Sequence, residues 1–270
     1  MGPNPMSLLD RVRDRLGART GPREDRPAAV APDERIYAVG DIHGRADLLA
    51  KLHDLIETDA GLYGQDTNKK IIYMGDYIDR GLDSKAVIDI LLAHPLTGFD
   101  TVYLKGNHED MLLASFEDPG VLPQWLAVGG SATLLSYGVA ESREDFERTR
   151  RELFERLPAG HLRFLESLQL AHRSGDYLFV HAGIRPEVPL DRQDPHDLMW
   201  IRGEFLGHKG PFGVVVVHGH SISLKPEFLP HRIGIDTGAY ATNALSCVVL
   251  EGSRRGFLST GDIEAPAGAR

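Results

Sequence analysis

Five short apolar runs in this chain each end in a glycine-flanked cluster of Asp, Asn or His, and that repetition constrains the fold more than any other feature. Arg35 to Val39 leads into Gly40-Asp41-Ile42-His43-Gly44, and Lys70 to Met74 into Gly75-Asp76-Tyr77-Ile78-Asp79-Arg80-Gly81. Thr101 to Lys105 leads into Gly106-Asn107-His108-Glu109, Tyr177 to Val180 into His181-Ala182-Gly183, and Val214 to Val217 into His218-Gly219-His220. Strands that deliver polar residues at their carboxyl ends gather them at one sheet edge, where ligand sites of open α/β sheets lie. Glycine permits the tight turns and close backbone approach that a crowded polar site requires. At roughly 5–7% per residue type, four fixed residues within five arise by chance in on the order of one chain in a thousand of this length. Several such clusters, each behind a strand, are not coincidence.

Two more apolar runs, Arg232 to Ile235 and Ala244 to Leu250, read as strands. Helical spacing marks Ala46 to Glu57, Ser84 to Ala93, Glu109 to Phe116, Ser142 to Leu157 and Pro158 to Leu168. The first half repeats strand, polar turn and helix, which predicts a largely parallel arrangement with helices outside. The second half is strand-rich with short links and predicts a more antiparallel sheet. Two packed sheets with outer helices satisfy both halves.

The 270 residues include 42% hydrophobic and 26% charged side chains, which excludes wholesale disorder, collagen and a disulfide scaffold. No apolar run reaches the roughly 18 residues of a membrane helix. The net charge of −9, from 39 acidic and 30 basic residues, argues against a long nucleic acid as partner. Cys247 is the single cysteine, so no internal disulfide forms and a reducing, cytoplasmic location is expected. Residues 1–33, with five prolines and clustered arginines, read as a flexible arm. Within the arm, Met6 to Leu16 has the spacing of a short amphipathic helix. Residues 34–260 read as the catalytic domain and 261–270 as a tail.

The donor types select the chemistry. Imidazole, carboxylate and an amide oxygen make a mixed N/O set suited to first-row divalent ions such as Mn²⁺, Fe²⁺ or Zn²⁺. So many histidines and acids exceed the needs of one tetrahedral ion, and two ions sharing a carboxylate are the economical solution. Two-metal sites of this kind serve in-line displacement at phosphorus.

The three clusters Gly40-Asp41-Ile42-His43-Gly44, Gly75-Asp76 to Gly81 and Gly106-Asn107-His108-Glu109 resemble the phosphoesterase pattern of the calcineurin-like metallophosphoesterases. The form Gly-Asp-Tyr-Ile-Asp-Arg-Gly is similar to the serine/threonine protein phosphatase superfamily, in particular its compact bacterial members. The likeness continues through His181-Ala182-Gly183, Trp200-Ile201-Arg202, His218-Gly219-His220 and Ile235 to Ala239. It implies an α/β, four-layer α-β-β-α sandwich of two mixed sheets with flanking helices. It further implies Asp41, His43 and Asp76 on one metal, with Asp76 bridging to a second held by Asn107, His181 and His220. His108 becomes the general acid, oriented by Asp79, while Arg80, Asn107 and Arg202 bind the substrate phosphate. The implied cofactors are two divalent ions, manganese first and iron, zinc or nickel as alternatives. A hydroxide between them attacks phosphorus with no covalent enzyme intermediate.

On this resemblance the expected activity is a dinuclear-metal phosphomonoesterase, first of all a protein serine/threonine phosphatase, with a phosphorylated protein or a small phosphoester as its substrate. The alternative is hydrolysis of dinucleoside polyphosphates, specifically symmetrical cleavage of diadenosine tetraphosphate, or of RNA caps. Symmetrical diadenosine tetraphosphatases typically carry Ala-Arg-Gly-Pro where this chain has Asp79-Arg80-Gly81-Leu82, which ranks the alternative second. A binding module that has lost catalysis is disfavoured because no ligand is missing. Cys247 is expected in the core, Trp125 in a helical cap near the entrance, and Asp236 as a residue that orients its neighbours.

Overall fold

Alternation within single strands dictates how the layers stack. The computed structural model describes residues 26–64, 67–142, 144–266 and 269. In strand β1 (Glu34–Val39), Ile36 and Ala38 point to one face and Tyr37 and Val39 to the other, as a two-residue period requires. Both faces are buried, so a layer must cover each. The first sheet has the order β10-β9-β1-β2-β3, with β2 at Asn68–Tyr73, β3 at Asp100–Tyr103, β9 at Ser246–Glu251 and β10 at Arg254–Ser259. The second has the order β4-β5-β6-β8-β7, with β4 at Ala171–Ser174, β5 at Tyr177–Val180, β6 at Val215–His218, β7 at Glu227–Phe228 and β8 at Arg232–Gly234.

Ile36, Ala38, Ile72 and Val248 of the first sheet pack on Tyr177, Phe179, Val217 and Ile233 of the second, forming a core between the sheets. On the outer face of the first sheet, Tyr37, Val39, Ile71 and Cys247 meet helices α1 (Ala46–Tyr63) and α2 (Ser84–Ala93) through Leu49, Leu52, Ile56, Val87 and Ile88. Outside the second sheet, Leu178, Val180 and Val216 meet the later helices α8 (Pro195–Trp200) and α9 (Gly203–Gly207) through Leu198 and Phe205. The result is the four-layer sandwich of two mixed sheets. Each large apolar side chain buried in these layers contributes about 1.5–3 kcal/mol before conformational entropy is subtracted.

Strand direction sets where the polar clusters meet. Strands β1, β2 and β3 are mutually parallel, so their carboxyl ends share one edge. In the second sheet β5, β6 and β8 are likewise parallel, and only the outer strands β4 and β7 are antiparallel. The second half of the chain is the more antiparallel one, as expected, since β4–β5, β7–β8, β9–β1 and β9–β10 all pair antiparallel; the parallel β5-β6-β8 centre of its sheet was not expected. Helices α8 and α9 supply the crossover between β5 and β6, and their shortness hid them from a periodicity reading.

Between β3 and β4 the chain forms a helical region: α3 (Asn107–Glu117), α4 (Leu122–Trp125), a π turn over Leu126–Gly130, α5 (Ser131–Ser136), α6 (Phe146–Arg156) and α7 (Ala159–Ser167). A last one-turn helix, α10, covers Ala239–Thr242. Residues 26–33, expected as part of a flexible arm, are tied to the sheets, and the rest of that stretch lies outside the described residues. Val30 is buried between the sheets, its N–H donates to the Gly252 carbonyl (3.0 Å), and Arg26 pairs with Asp176 (3.0 Å). The expected helix at Met6 to Leu16 lies outside the described residues. Among the described residues no helix is long and apolar enough to cross a membrane.

Candidate metal centre and its surroundings

The loops after β1, β2 and β3 are tied to one another before they reach any ligand. The N–H groups of Ile42 and His43 both donate to the Asp76 carbonyl (3.1 and 2.8 Å), and that of Gly44 to the Tyr77 carbonyl (2.9 Å). Glycines make the approach possible, since a methyl group at Gly106 would collide with the Asp76 carboxylate and one at Gly219 with that of Asp41. Backbone strain concentrates here. Eight described non-glycine residues have positive φ, and five of them are His43, Asp76, Asp79, Arg80 and His220. Left-handed geometry costs such residues on the order of 1–3 kcal/mol each, so the surrounding fold must over-determine it.

Asp76 lies at the centre. Its Oδ2 is 3.5 Å from His43 Nε2, 3.5 Å from His181 Nε2 and 3.8 Å from His108 Nε2. Ligand atoms of His43, Asp76 and His108 lie within 4.8 Å of one another, and so do those of Asp76, His181 and His220. His181 Nε2 also faces Asn107 Oδ1 (3.1 Å) and His220 Nδ1 (3.2 Å). The second half of each ring is fixed from behind: His43 Nδ1 meets the Ile78 carbonyl (2.9 Å) and His181 Nδ1 the Met74 carbonyl (2.8 Å). A carbonyl accepts only, so Nδ1 carries the proton and Nε2 presents a lone pair inward.

Asp41 stands apart from these two groups. Its Oδ2 accepts the His220 N–H (2.9 Å), while Oδ1 is buried with no partner. His108 rather than Asp41 completes the first group. Asp236 accepts the Gly238 N–H through Oδ1 (2.8 Å), and its buried Oδ2 is unpartnered too. Burial pushes the Asp41 carboxyl well up, and the nearby Asp236 and Asp76 charges add to the effect. Burial also lowers the imidazoles, His43 to about 3 and His220 to about 2, so they are neutral and able to ligate. Orphaned carboxylate oxygens beside inward lone pairs are what bound cations would satisfy, and the donor set fits two divalent ions.

A second network stands beside the first. Asp79 is fully buried, and its Oδ2 accepts from His108 Nδ1 (2.6 Å) and Trp125 Nε1 (2.7 Å) while Oδ1 accepts from Thr133 Oγ1 (2.6 Å). Burial pushes the Asp79 carboxyl up, against the pull of these three donors. Trp125 and Thr133 come from α4 and α5, so the cap reaches down to the His108 ring. Burial works against a proton on His108, but the Asp76 and Asp79 charges outweigh it and raise its pKa. Arg80 Nη2 lies 3.2 Å from His108 Nε2, and Arg202 Nη1 donates to the His220 carbonyl (3.2 Å).

Two residues gained roles that the sequence reading did not give them. Trp125 is in the cap as expected, but it also bonds the Asp79 carboxylate. Glu109, quoted only as part of a cluster, is buried and accepts four backbone N–H groups: Tyr77 (2.8 Å) and Ile78 (3.3 Å) on Oε1, Asp76 (2.9 Å) and Gly106 (3.0 Å) on Oε2. A glutamate three residues after the helix-capping Gly106 is a capping-box signal that was available in the sequence.

Comparison with known proteins places the chain in a family. Relatives from Oceanobacillus iheyensis and Bacillus mycoides, both named bis(5'-nucleosyl)-tetraphosphatase PrpE (asymmetrical), are each 28% identical to this chain. The first aligns over 236 residues, 78% of this chain and 87% of the relative; the second over 222 residues, 74% and 84%. A cold-active protein-tyrosine phosphatase of a psychrophilic Shewanella superposes with a TM-score of 0.53 at 18% identity, covering 86% of this chain and 83% of that one, which is a likeness of fold. The sequence profile of the calcineurin-like phosphoesterases matches residues 34–247, and the chain belongs to that family of metal-dependent phosphoesterases.

Proposed function

We propose that this protein is a two-cation hydrolase of dinucleoside polyphosphates. The observation that carries the reading is the double membership of Asp76, whose carboxylate belongs to both groups of closely spaced ligand atoms. His43 and Asp76 would hold one cation, with Asp41, whose buried Oδ1 lacks a partner, as its third ligand in place of His108, and Asp76, Asn107, His181 and His220 would hold the other. Two divalent cations in these positions supply positive charge to phosphoryl oxygens and lower the pKa of water toward neutrality.

The protein groups do the rest. The Arg80 and Arg202 guanidinium forks bind phosphate oxygens, where planar paired donors outperform an ammonium. With Nδ1–H committed to Asp79, the His108 ring keeps one orientation and gives a proton to the leaving oxygen from Nε2. Arg80 lies against that same nitrogen, so drawing the guanidinium onto phosphate opens Nε2 to take a proton from water, which the Asp76 and Asp79 charges favour, and that proton goes to the leaving oxygen.

Support for the substrate class comes from the PrpE relatives, whose name specifies asymmetrical cleavage. The departure at Asp79 to Leu82 separates this chain from symmetrical hydrolases only, so it leaves the asymmetrical reaction open. The phosphoprotein reading ranked first on sequence thereby moves to second place. Side-by-side kcat/KM values for diadenosine tetraphosphate and a phosphoserine peptide, on one Mn²⁺-loaded preparation, test the order. The expected result is faster turnover of the dinucleotide, with ATP and AMP as products. A faster phosphopeptide reaction would restore the phosphatase reading.

A further inference from the structure

Large apolar side chains are exposed beside the arginine that meets phosphate, where an anion alone has no use for them. Tyr240 is 36% exposed and Ile222 46%. The Tyr240 ring lies 5.0 Å from the Arg80 guanidinium carbon and 5.5 Å, edge to face, from the His43 ring. Ile222 packs on Gly238, two residues before Tyr240.

The turn that presents Tyr240 is held unusually firmly for one helical turn. Gly238 (φ 67°) opens it and Asn243 (φ 60°) closes it, both in the left-handed region. The Thr242 hydroxyl donates back to the Thr237 and Gly238 carbonyls (2.9 and 3.1 Å). Arg45 Nη1 reaches across from the first loop to the Ala239 carbonyl (3.0 Å) and Asn243 Oδ1 (2.6 Å), gripping both ends. The strained, clamped segment delivers one aromatic ring to the rim of the site. A ring placed in advance binds a planar partner without the ordering cost that a mobile loop would incur.

Phosphate gains nothing from a phenol face, whose quadrupole is negative. The group esterified to that phosphate can gain. A serine ester offers no plane at this position, whereas a nucleoside carries one a ribose away from the phosphate. We infer that Tyr240, backed by Arg80, is the shelf on which a nucleobase of the substrate stacks. The inference rests on the nucleoside-polyphosphate reading of the site and adds the residue that recognises the base.

The test compares kcat/KM for diadenosine tetraphosphate with that for inorganic tetraphosphate, which has the same anhydrides and no base. Alanine substitution of an aromatic under a base costs about tenfold or more in binding. The ratio of the two values is expected to fall about tenfold in Tyr240→Ala, to fall similarly in Tyr240→Leu, and to be kept in Tyr240→Phe. Calorimetric binding of ATP against inorganic tripolyphosphate should show the same loss for ATP. Equal losses on both substrates would overturn the inference, because Tyr240 would then act only by holding Arg80. So would an unchanged ratio, or a loss confined to a phosphopeptide. If wild-type protein cleaves no dinucleotide, the functional reading fails. The inference then falls with it unless ATP still binds more tightly than tripolyphosphate through Tyr240.

Discussion

Replacing Glu109 by glutamine changes one oxygen to an amide NH₂ and little else, yet it should be among the most damaging conservative substitutions in this protein. Every group around the carboxylate is a backbone N–H donor. The amide can turn either way, and the cheaper choice places NH₂ at the Oε1 position, where one of the two bonds is already long (2.8 and 3.3 Å). One good and one weak donor then face hydrogens in a buried site, and a buried unsatisfied donor costs about 1–3 kcal/mol, so Glu109→Gln should lose about 2–4 kcal/mol. Burial and the nearby Asp76 charge push the Glu109 carboxyl up. The four N–H groups oppose that push, and a proton on either oxygen would point at two of them, so the pocket suits the carboxylate. Urea unfolding with chelator present, so that cation binding does not contribute, measures the difference as a lower midpoint at constant slope. A loss below about 0.5 kcal/mol, or a gain, would refute the reasoning, since a neutral carboxyl would be nearly matched by the amide.

Three other substitutions follow from the geometry. His108→Asn should retain bound cations but lose about 10²–10⁴-fold in turnover of substrates with poor leaving groups, with a smaller loss on p-nitrophenyl phosphate; equal losses on both would remove the general-acid role. Trp125→Phe deletes the indole donor to Asp79 (2.7 Å), and a bond to a charged group is worth about 1.5–3 kcal/mol. Its denaturation midpoint should fall accordingly and kcat should drop more than KM rises; wild-type values of both would mean the indole only fills space. His53, on helix α1, bonds the Tyr73 hydroxyl (2.7 Å), and burial lowers its pKa to about 4. A depressed imidazole means that the unfolded chain binds more protons between about pH 6.5 and 4, so stability falls as pH falls through that window. His53→Gln should flatten this acid limb by up to about 3 kcal/mol, and an unchanged slope in a pH series of urea melts would contradict the assignment.

Legibility in the sequence followed the physics of each element. Strand β1 and helix α2 read almost to the residue because unbroken apolar periodicity and buried faces go together there. Helix α1 runs on to Tyr63, past the expected end at Glu57, because Asp59 is held by Arg35 Nη2 and the Tyr37 hydroxyl (both 2.6 Å), a tertiary grip invisible to local propensity. Strands β4, β7 and β10 are edge pieces whose polar residues carry little alternation, although the Gly252-Ser253 turn between β9 and β10 was a hairpin signal. The clusters of candidate ligands stood out by composition and spacing. Which oxygen would be left unpaired at Asp41, or that Trp125 would reach Asp79, depends on how loops from distant parts of the chain meet.

The last two strands to be made, β9 and β10, carry none of the proposed cation ligands, yet β9 lies against β1 and the Ser246 carbonyl receives the Gly40 N–H (3.0 Å) at the root of the Asp41 loop. During synthesis a chain that has emerged through His220 holds the whole ligand set while one flank of β1 still lacks its neighbour. A frameshift or stop codon just before Ser246 would leave every candidate ligand intact and still yield a protein whose first loop has lost its anchor on β9, with the bonds to the Asp76 and Tyr77 carbonyls left to hold it.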